Sequence, residues 1–241
     1  FVAGPASHVA VKACELAIAC PGKVTPLFLH GPPGVGKTHL LQGVCAATKD
    51  RHLDANAIYL TAEQFTSHFL GALQTSGLPR FRREFRRADV LIIDDIQFFA
   101  GKRATAVELQ QTVDEMIREG RQLILAADRQ LGQLKPLGDS LISLLAGGLV
   151  CAIQPADRRT RLEIACRAAA ARNLSIPRDT LEFVADNFLG DARQIFGALN
   201  RLQATSNAYQ RPIDLPLARE ALTDLIQVNS RALQLEDVER A

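Results

Sequence analysis

Eight residues, Gly31 to Thr38, constrain this chain more than any others: they read GPPGVGKT and match the pattern G-x-x-x-x-G-K-[ST]. A short apolar run, PLFLH at 26–30, precedes them, and a helix-patterned segment at 38–48 follows. In that strand-loop-helix setting the pattern predicts a phosphate-binding loop. Gly31, Gly34 and Gly36 let backbone N–H groups curl around phosphate oxygens, and the helix that follows directs its positive end at the same anion. Pro33, Val35 and His39 complete the predicted nucleotide-binding set. Lys37 is expected to reach the β- and γ-phosphates of ATP or ADP, and Thr38 to give its hydroxyl to Mg²⁺. The plain alternative is a glycine-rich turn with an exposed lysine, and the flanking strand and helix argue against it.

The rest of the chain supplies the matching scaffold. Further strand-length apolar runs occur at 57–60, 89–94, 122–127 and 149–153. Helical patterns lie between them at 62–73, 78–87 and 107–119, the last closed by Gly120. Strands alternating with helices predict an α/β fold, a three-layer parallel-sheet P-loop NTPase domain with helices on both faces. Thr61 followed by Gln64 predicts a capping box. Beyond Gln154 the pattern is helical only, at 157–172, 178–188, 192–206 and 217–226, with Asp179, Asp191 and Asp214 as expected N-caps. Ile195, Phe196, Leu199 and Leu202 fall on one helical face. We therefore expect a nucleotide-binding domain at 1–154, a small all-α lid domain at 155–227 and a linker at 228–241.

Composition narrows the setting. At 241 residues, 47% hydrophobic and 22% charged, the chain has a real core and is too apolar for disorder. No apolar run approaches the roughly 18 to 20 residues of a membrane span. The net charge of +2 is too small to make the whole molecule a polyanion binder. The five cysteines lack a C-x-x-C pair, which predicts reduced thiols and a cytoplasmic setting. The five histidines show no paired metal spacing. The first residue is Phe1 rather than an initiator Met, so we read the sequence as a piece of a longer chain.

Downstream, DVLIIDDIQFF at 89–99 places two carboxylates at the C-terminal end of an expected strand, the end that faces the ligand in open α/β sheets. Asp94 is expected to hold Mg²⁺, and Asp95 to orient or deprotonate an attacking water. The strand at 122–127 ends in Asp128 and Arg129, where a polar side chain can position water; a turn or N-cap role for Asp128 is the alternative. RFRREFRR at 80–87 carries five Arg and one Glu around Phe81 and Phe85. Basic residues beside aromatics suit single-stranded nucleic acid, yet two Phe at i and i+4 make one buried stripe, so we expect the Phe in the core and the Arg on a solvated face.

Taken together, FVAG at 1–4, GKTHLL at 36–41, FRREFRRADVLIIDDIQFFAGK at 81–102, IQPADRRTRLEI at 153–164 and DARQIFGALNRL at 191–202 resemble the AAA+ domain of the DnaA family of bacterial chromosomal replication initiators. The resemblance covers nearly the whole chain. It implies that Phe1 and Val2 lie near the adenine, that Asp128 is sensor 1, and that Arg193 is sensor 2, pairing with terminal phosphates. It further implies a helical insertion at about 62–87 and a basic site at Lys102 and Arg103, both associated with single-stranded or origin DNA. Other DnaA-type subunits, and the replicative helicase or its loader, are the implied protein partners.

One stretch departs from the family. Where it has D-R-L-x-S-R-F, with the second Arg reaching a neighbour's ATP, this chain has Asp139-Ser140-Leu141-Ile142-Ser143-Leu144-Leu145. The arginine-finger position is Leu144 and the other basic position is Ser140. Two readings remain open here. One is a nucleotide-switched assembly module with slow hydrolysis at most. The other is a regulatory or adaptor paralogue in the manner of Hda or the helicase loaders. A metabolic P-loop kinase leaves the helical lobe and Arg193 without a role.

Overall fold

The computed structural model of the chain describes residues 1–189 and 191–239, the side chains of 229–239 excepted. Five apolar runs form the strands β1 (Leu27–His30), β2 (Ala57–Thr61), β3 (Val90–Asp94), β4 (Gln122–Ala127) and β5 (Leu149–Ala152). All pair in parallel, in the order β2-β3-β4-β1-β5. β3 and β4 are buried along their whole length, as their unbroken apolar runs require of strands covered on both sides.

Side chains two apart share a face of the sheet. Phe28, Leu91, Ile93, Leu123 and Leu125 enter one core with α3 (Ala62–Gln74), α4 (Leu78–Arg86), α5 (Arg103–Arg118) and α6 (Asp139–Ala146). Leu27, Leu29, Val90, Ile92, Ile124 and Ala126 enter the other, with α1 (His8–Ala19) and α2 (Lys37–Arg51). Two of these helices had no forecast. The buried positions of α1 are mostly Ala and Cys, too small to leave a strong periodic signal, and α6 is only eight residues long. α5 begins four residues earlier than its pattern at 107 suggested.

Local signals worked where their chemistry is specific. Thr61 and Gln64 form the expected capping box, with Gln64 N–H donating to Thr61 Oγ1 at 3.2 Å and Thr61 N–H to Gln64 Oε1 at 2.9 Å. Gly120 ends α5 at φ +65° while the Arg121 N–H reaches the Met116 carbonyl at 2.9 Å. That is the six-to-one bond of a glycine-terminated helix.

Residues from Pro155 onward, with Val2–Ala6, form a second unit. Its helices are α7 (Arg158–Ala170), α8 (Arg178–Asn187), α9 (Ala192–Tyr209) and α10 (Leu215–Glu239). Ala165, Val184, Phe188, Ile195, Leu199, Leu202 and Leu222 make its core. Phe196, expected on the same face, lies instead at the edge, 37% exposed, with the Arg172 guanidinium 5.3 Å from its ring centre. Asp191 and Asp214 cap α9 and α10, each accepting a backbone N–H at 2.9 Å. Asp179 does not cap α8: the helix opens on Pro177, and Asp179 sits inside the first turn, where its charge still favours the helix N-terminus. The segment expected as a linker, 228–241, continues α10 as far as Glu239; residues 240–241 lie outside the described residues. Among the described residues no helix is long and apolar enough to cross a membrane.

Candidate nucleotide site

The strand order brings the C-terminal ends of β1, β4 and β3 side by side, so the glycine loop, Asp128 and Asp94 share one edge of the sheet. At Gly31 a Cβ would collide with the Ile153 carbonyl oxygen, so only glycine lets β1 leave the sheet there. At Gly36 the backbone is left-handed, φ +96°, and a Cβ would stand 2.9 Å from the Phe1 ring. Phe1 lies over this turn and stacks on His39, with centroids 6.4 Å apart and planes at 28°. Pro33 is exposed, Val35 is half-buried and packs on the core, and Gly34 turns at φ +81°.

Lys37 begins α2 with its side chain buried, and its ammonium donates to the Gly31 carbonyl at 2.6 Å and the Pro32 carbonyl at 3.0 Å. The charge therefore sits inside the curl of the loop. Its field reaches the ends of two strands: after burial itself, it is the second cause that lowers the His30 pKa, and it helps lower that of Asp128.

Asp94, 1% exposed, accepts three hydrogen bonds. Thr38 Oγ1 donates to Oδ2 at 2.6 Å, Tyr59 Oη to the same oxygen at 3.2 Å, and the Asp95 N–H to Oδ1 at 2.9 Å. Burial pushes the Asp94 carboxyl up from its ordinary range, and the Thr38 bond pulls it back in part. Tyr59 is held above the usual phenol value, first by burial and then by the charge of Asp94, so it stays a donor.

Asp95 sits in the left-handed region at φ 58°, uncommon for a residue with a side chain. Its Oδ1 accepts from the Gln97 amide at 2.9 Å, while Gln97 Oε1 accepts the Asp128 N–H at 3.2 Å. One carboxamide thus ties the end of β3 to the end of β4. Asp128 is gripped by its own neighbour, Arg129, through two bonds of 2.6 and 2.8 Å, which with the Lys37 field hold its carboxyl below the usual range. A continuous chain of contacts runs from Thr38 through Asp94, Asp95 and Gln97 to Asp128. Tyr59 and Gln97 had no sequence signal of their own. A lone Tyr in an apolar run and a Gln after two aspartates become legible only once the strands are in register.

Arg193 belongs to the second unit, in the first turn of α9, where it is 67% exposed and pairs with Asp191 at 3.3 Å. Val2 is grouped with that unit as well. Leu144 is half-buried on α6 against the first core, and Ser140 is exposed. In α4, Phe81 and Phe85 enter a ring cluster with Phe65, while Phe65 stacks edge-on with Phe99. The fully solvated arginine face is corrected: Arg82 and Arg86 are bound to Glu108, and Arg86 also to Glu115 at 2.7 Å, leaving Arg80, Arg83 and Arg87 exposed. Lys102 and Arg103 are exposed at the start of α5.

The donor set suits Mg²⁺: a hydroxyl and a buried carboxylate, both hard oxygen groups, beside an anion loop. Among the described residues no group of three or more His, Cys, Asp and Glu could hold a metal.

Residues 1–152 match the family model described as the bacterial DnaA ATPase domain. The chromosomal replication initiator protein DnaA of Acinetobacter baumannii is 35% identical over 242 aligned residues, which cover all of this chain and 52% of that protein. The chain thus spans about half the length of the curated relatives it matches. Domain III of the Thermotoga maritima replication initiation protein DnaA superposes with a TM-score of 0.89 at 32% identity, covering 94% of this chain and 95% of that one. A replication initiator DnaA bound to AMPPCP and single-stranded DNA superposes with a TM-score of 0.75 at 25% identity, covering 88% and 73%.

Proposed function

Because the chain belongs to the bacterial DnaA family, we propose that it is a nucleotide-binding assembly module acting in replication initiation, loaded with ATP or ADP and Mg²⁺. The observation that carries this reading is the 2.6 Å bond from Thr38 to the buried Asp94 at the mouth of a loop that encloses the Lys37 ammonium. Lys37 exchanges its carbonyl partners for β- and γ-phosphate oxygens, Thr38 and Asp94 hold the Mg²⁺ hydrate, and Phe1 with His39 flanks the base. Mg²⁺ bound there neutralises phosphate charge. Asp95, aimed by Gln97, orients the water, and Asp128 senses the terminal phosphate. In calorimetry Lys37→Ala weakens ATP and ADP binding by about tenfold or more, since a hydrogen bond to a charged group contributes roughly 1.5 to 3 kcal/mol. Equal affinity for the two proteins refutes the site.

A second reading is favoured by Leu144 and Ser140: a regulatory or adaptor paralogue that binds nucleotide and a replication partner, the helicase, its loader or a DnaA subunit, without offering a finger. DNA contact separates from both. With Arg82 and Arg86 engaged, the exposed Arg80, Arg83, Arg87, Lys102 and Arg103 are what remains for single strands. Binding is expected to be weak and independent of sequence. Each neutralised phosphate contributes about 0.7 to the slope of log K against log salt, so four or five give a slope of roughly −3. Fluorescence anisotropy with labelled single strands checks this, and no binding at low salt, with or without ATP, leaves this surface merely solvated.

A further inference from the structure

The nucleotide reading leaves Tyr59 without a part. Parallel register sets Thr61 of β2 opposite Asp94 of β3 and Tyr59 opposite Ile92, so by the two-residue period Tyr59 stands on the same sheet face as Asp94, as its diagonal neighbour. α2 covers that face, with Leu40, Leu41 and Val44 in the same core that Tyr59 packs against. The phenol is half-buried between helix and sheet, and its hydroxyl meets Asp94 Oδ2, the same oxygen that accepts from Thr38. The Gln42 amide, one helical turn after Thr38, faces the same hydroxyl. Both oxygens of the buried carboxylate are therefore fixed from three directions: by α2, by β2 and by its own backbone.

We propose that Tyr59 is a positioning residue of the metal site, aligning the Asp94 carboxylate with the Thr38 hydroxyl so that the two act on one Mg²⁺ hydrate. The inference rests on the nucleotide reading above and extends it to a residue that touches neither phosphate nor base. A carboxylate released from one of its anchors turns about its last torsion, and partners that orient a ligand typically govern about 10- to 100-fold of metal affinity.

The test is ADP affinity by calorimetry in Mg²⁺ and in EDTA, for wild type, Tyr59→Phe, Asp94→Asn and the double variant. Phe keeps the ring and its packing, and matching thermal melts check the fold. The expected result is that Mg²⁺ strengthens ADP binding by wild type, that Tyr59→Phe loses about tenfold of this gain while its affinity in EDTA matches wild type, and that the double variant is no weaker than Asp94→Asn. That non-additivity separates action through Asp94 from a packing defect, which would add. A Tyr59→Phe protein with the full Mg²⁺ gain, or a double variant with additive losses, overturns the inference and leaves the nucleotide reading intact. A wild type that binds no ADP in Mg²⁺ overturns both.

Discussion

In light scattering the isolated chain is expected to show the same mass with ATP as with ADP, and its steady-state turnover to remain at the level of an unassisted site. An arginine reaching a neighbour's γ-phosphate contributes roughly 10³ to 10⁵ in rate where it has been measured, which is ~4 to 7 kcal/mol of transition-state stabilisation. Leucine supplies none of it. Leu144 packs its side chain on the core of the α/β unit, and Ser140 on the exposed side of α6 has no charge to offer in its place. Other arginines, such as Arg129 or Arg158, are candidates to act in its place, and each of these two is paired with a carboxylate of this chain at the surface. Arg129 holds Asp128 through paired bonds, and Arg158 holds Asp186 at 2.6 and 2.9 Å. On the regulatory reading proposed above, a subunit of this kind completes an ATP site only when a finger-bearing relative faces its own nucleotide, and it ends an assembly or regulates one. Brisk turnover together with ATP-specific growth of scattering from the pure chain would restore the plain initiator reading.

The sequence made legible what depends on a few residues in a row. The phosphate loop, the Thr61–Gln64 box, the Gly120 terminus and the Asp191 cap each need only a local backbone and one or two side chains of the right chemistry. The parallel sheet followed from apolar runs that strand burial on both faces demands. What stayed hidden depends on register. Tyr59 reaches Asp94 because β2 and β3 pair as they do, and Gln97 reaches Asp128 because β4 ends beside the turn after β3. Neither relation has a spacing signature along the chain. α1 was hidden for a different reason, since Ala10, Ala13, Cys14 and Ala17 bury too little apolar surface to stand out as a stripe. Asp179 shows the reverse error: an Asp near a helix start is correct as electrostatics and wrong as a cap, because Pro177 already fixes the entry of the chain.

Glu108→Ala is expected to destabilise the α/β unit by about 1.5 to 3 kcal/mol, the range for losing hydrogen bonds to a charged group, since Arg82 is partly in water and Arg86 keeps Glu115. Glu108, on α5, is 3% exposed and receives Arg82 through bonds of 3.0 and 2.8 Å and Arg86 through one of 2.7 Å. Without it, Arg86, whose side chain is 15% exposed, keeps Glu115 and Gln111 but loses its most buried partner. The cluster is also the polar clasp that holds α4 to α5, while Phe81 and Phe85 on the other side of α4 hold the helix to the aromatic core. Acid should open the same clasp. Burial alone would raise the Glu108 pKa, but Arg82 and Arg86 outweigh burial and hold it below its ordinary value. The folded chain therefore binds that proton more weakly than the unfolded chain. The stabilisation is complete above the unfolded value near ~4.3 and fades as pH falls from there through the lower folded value. Thermal melts from neutral pH down to about pH 3 should show wild type converging on Glu108→Gln, a variant that lacks the titrating group. If Glu108→Ala melts with wild type at neutral pH, the Glu108 clasp contributes nothing to the stability of the α/β unit.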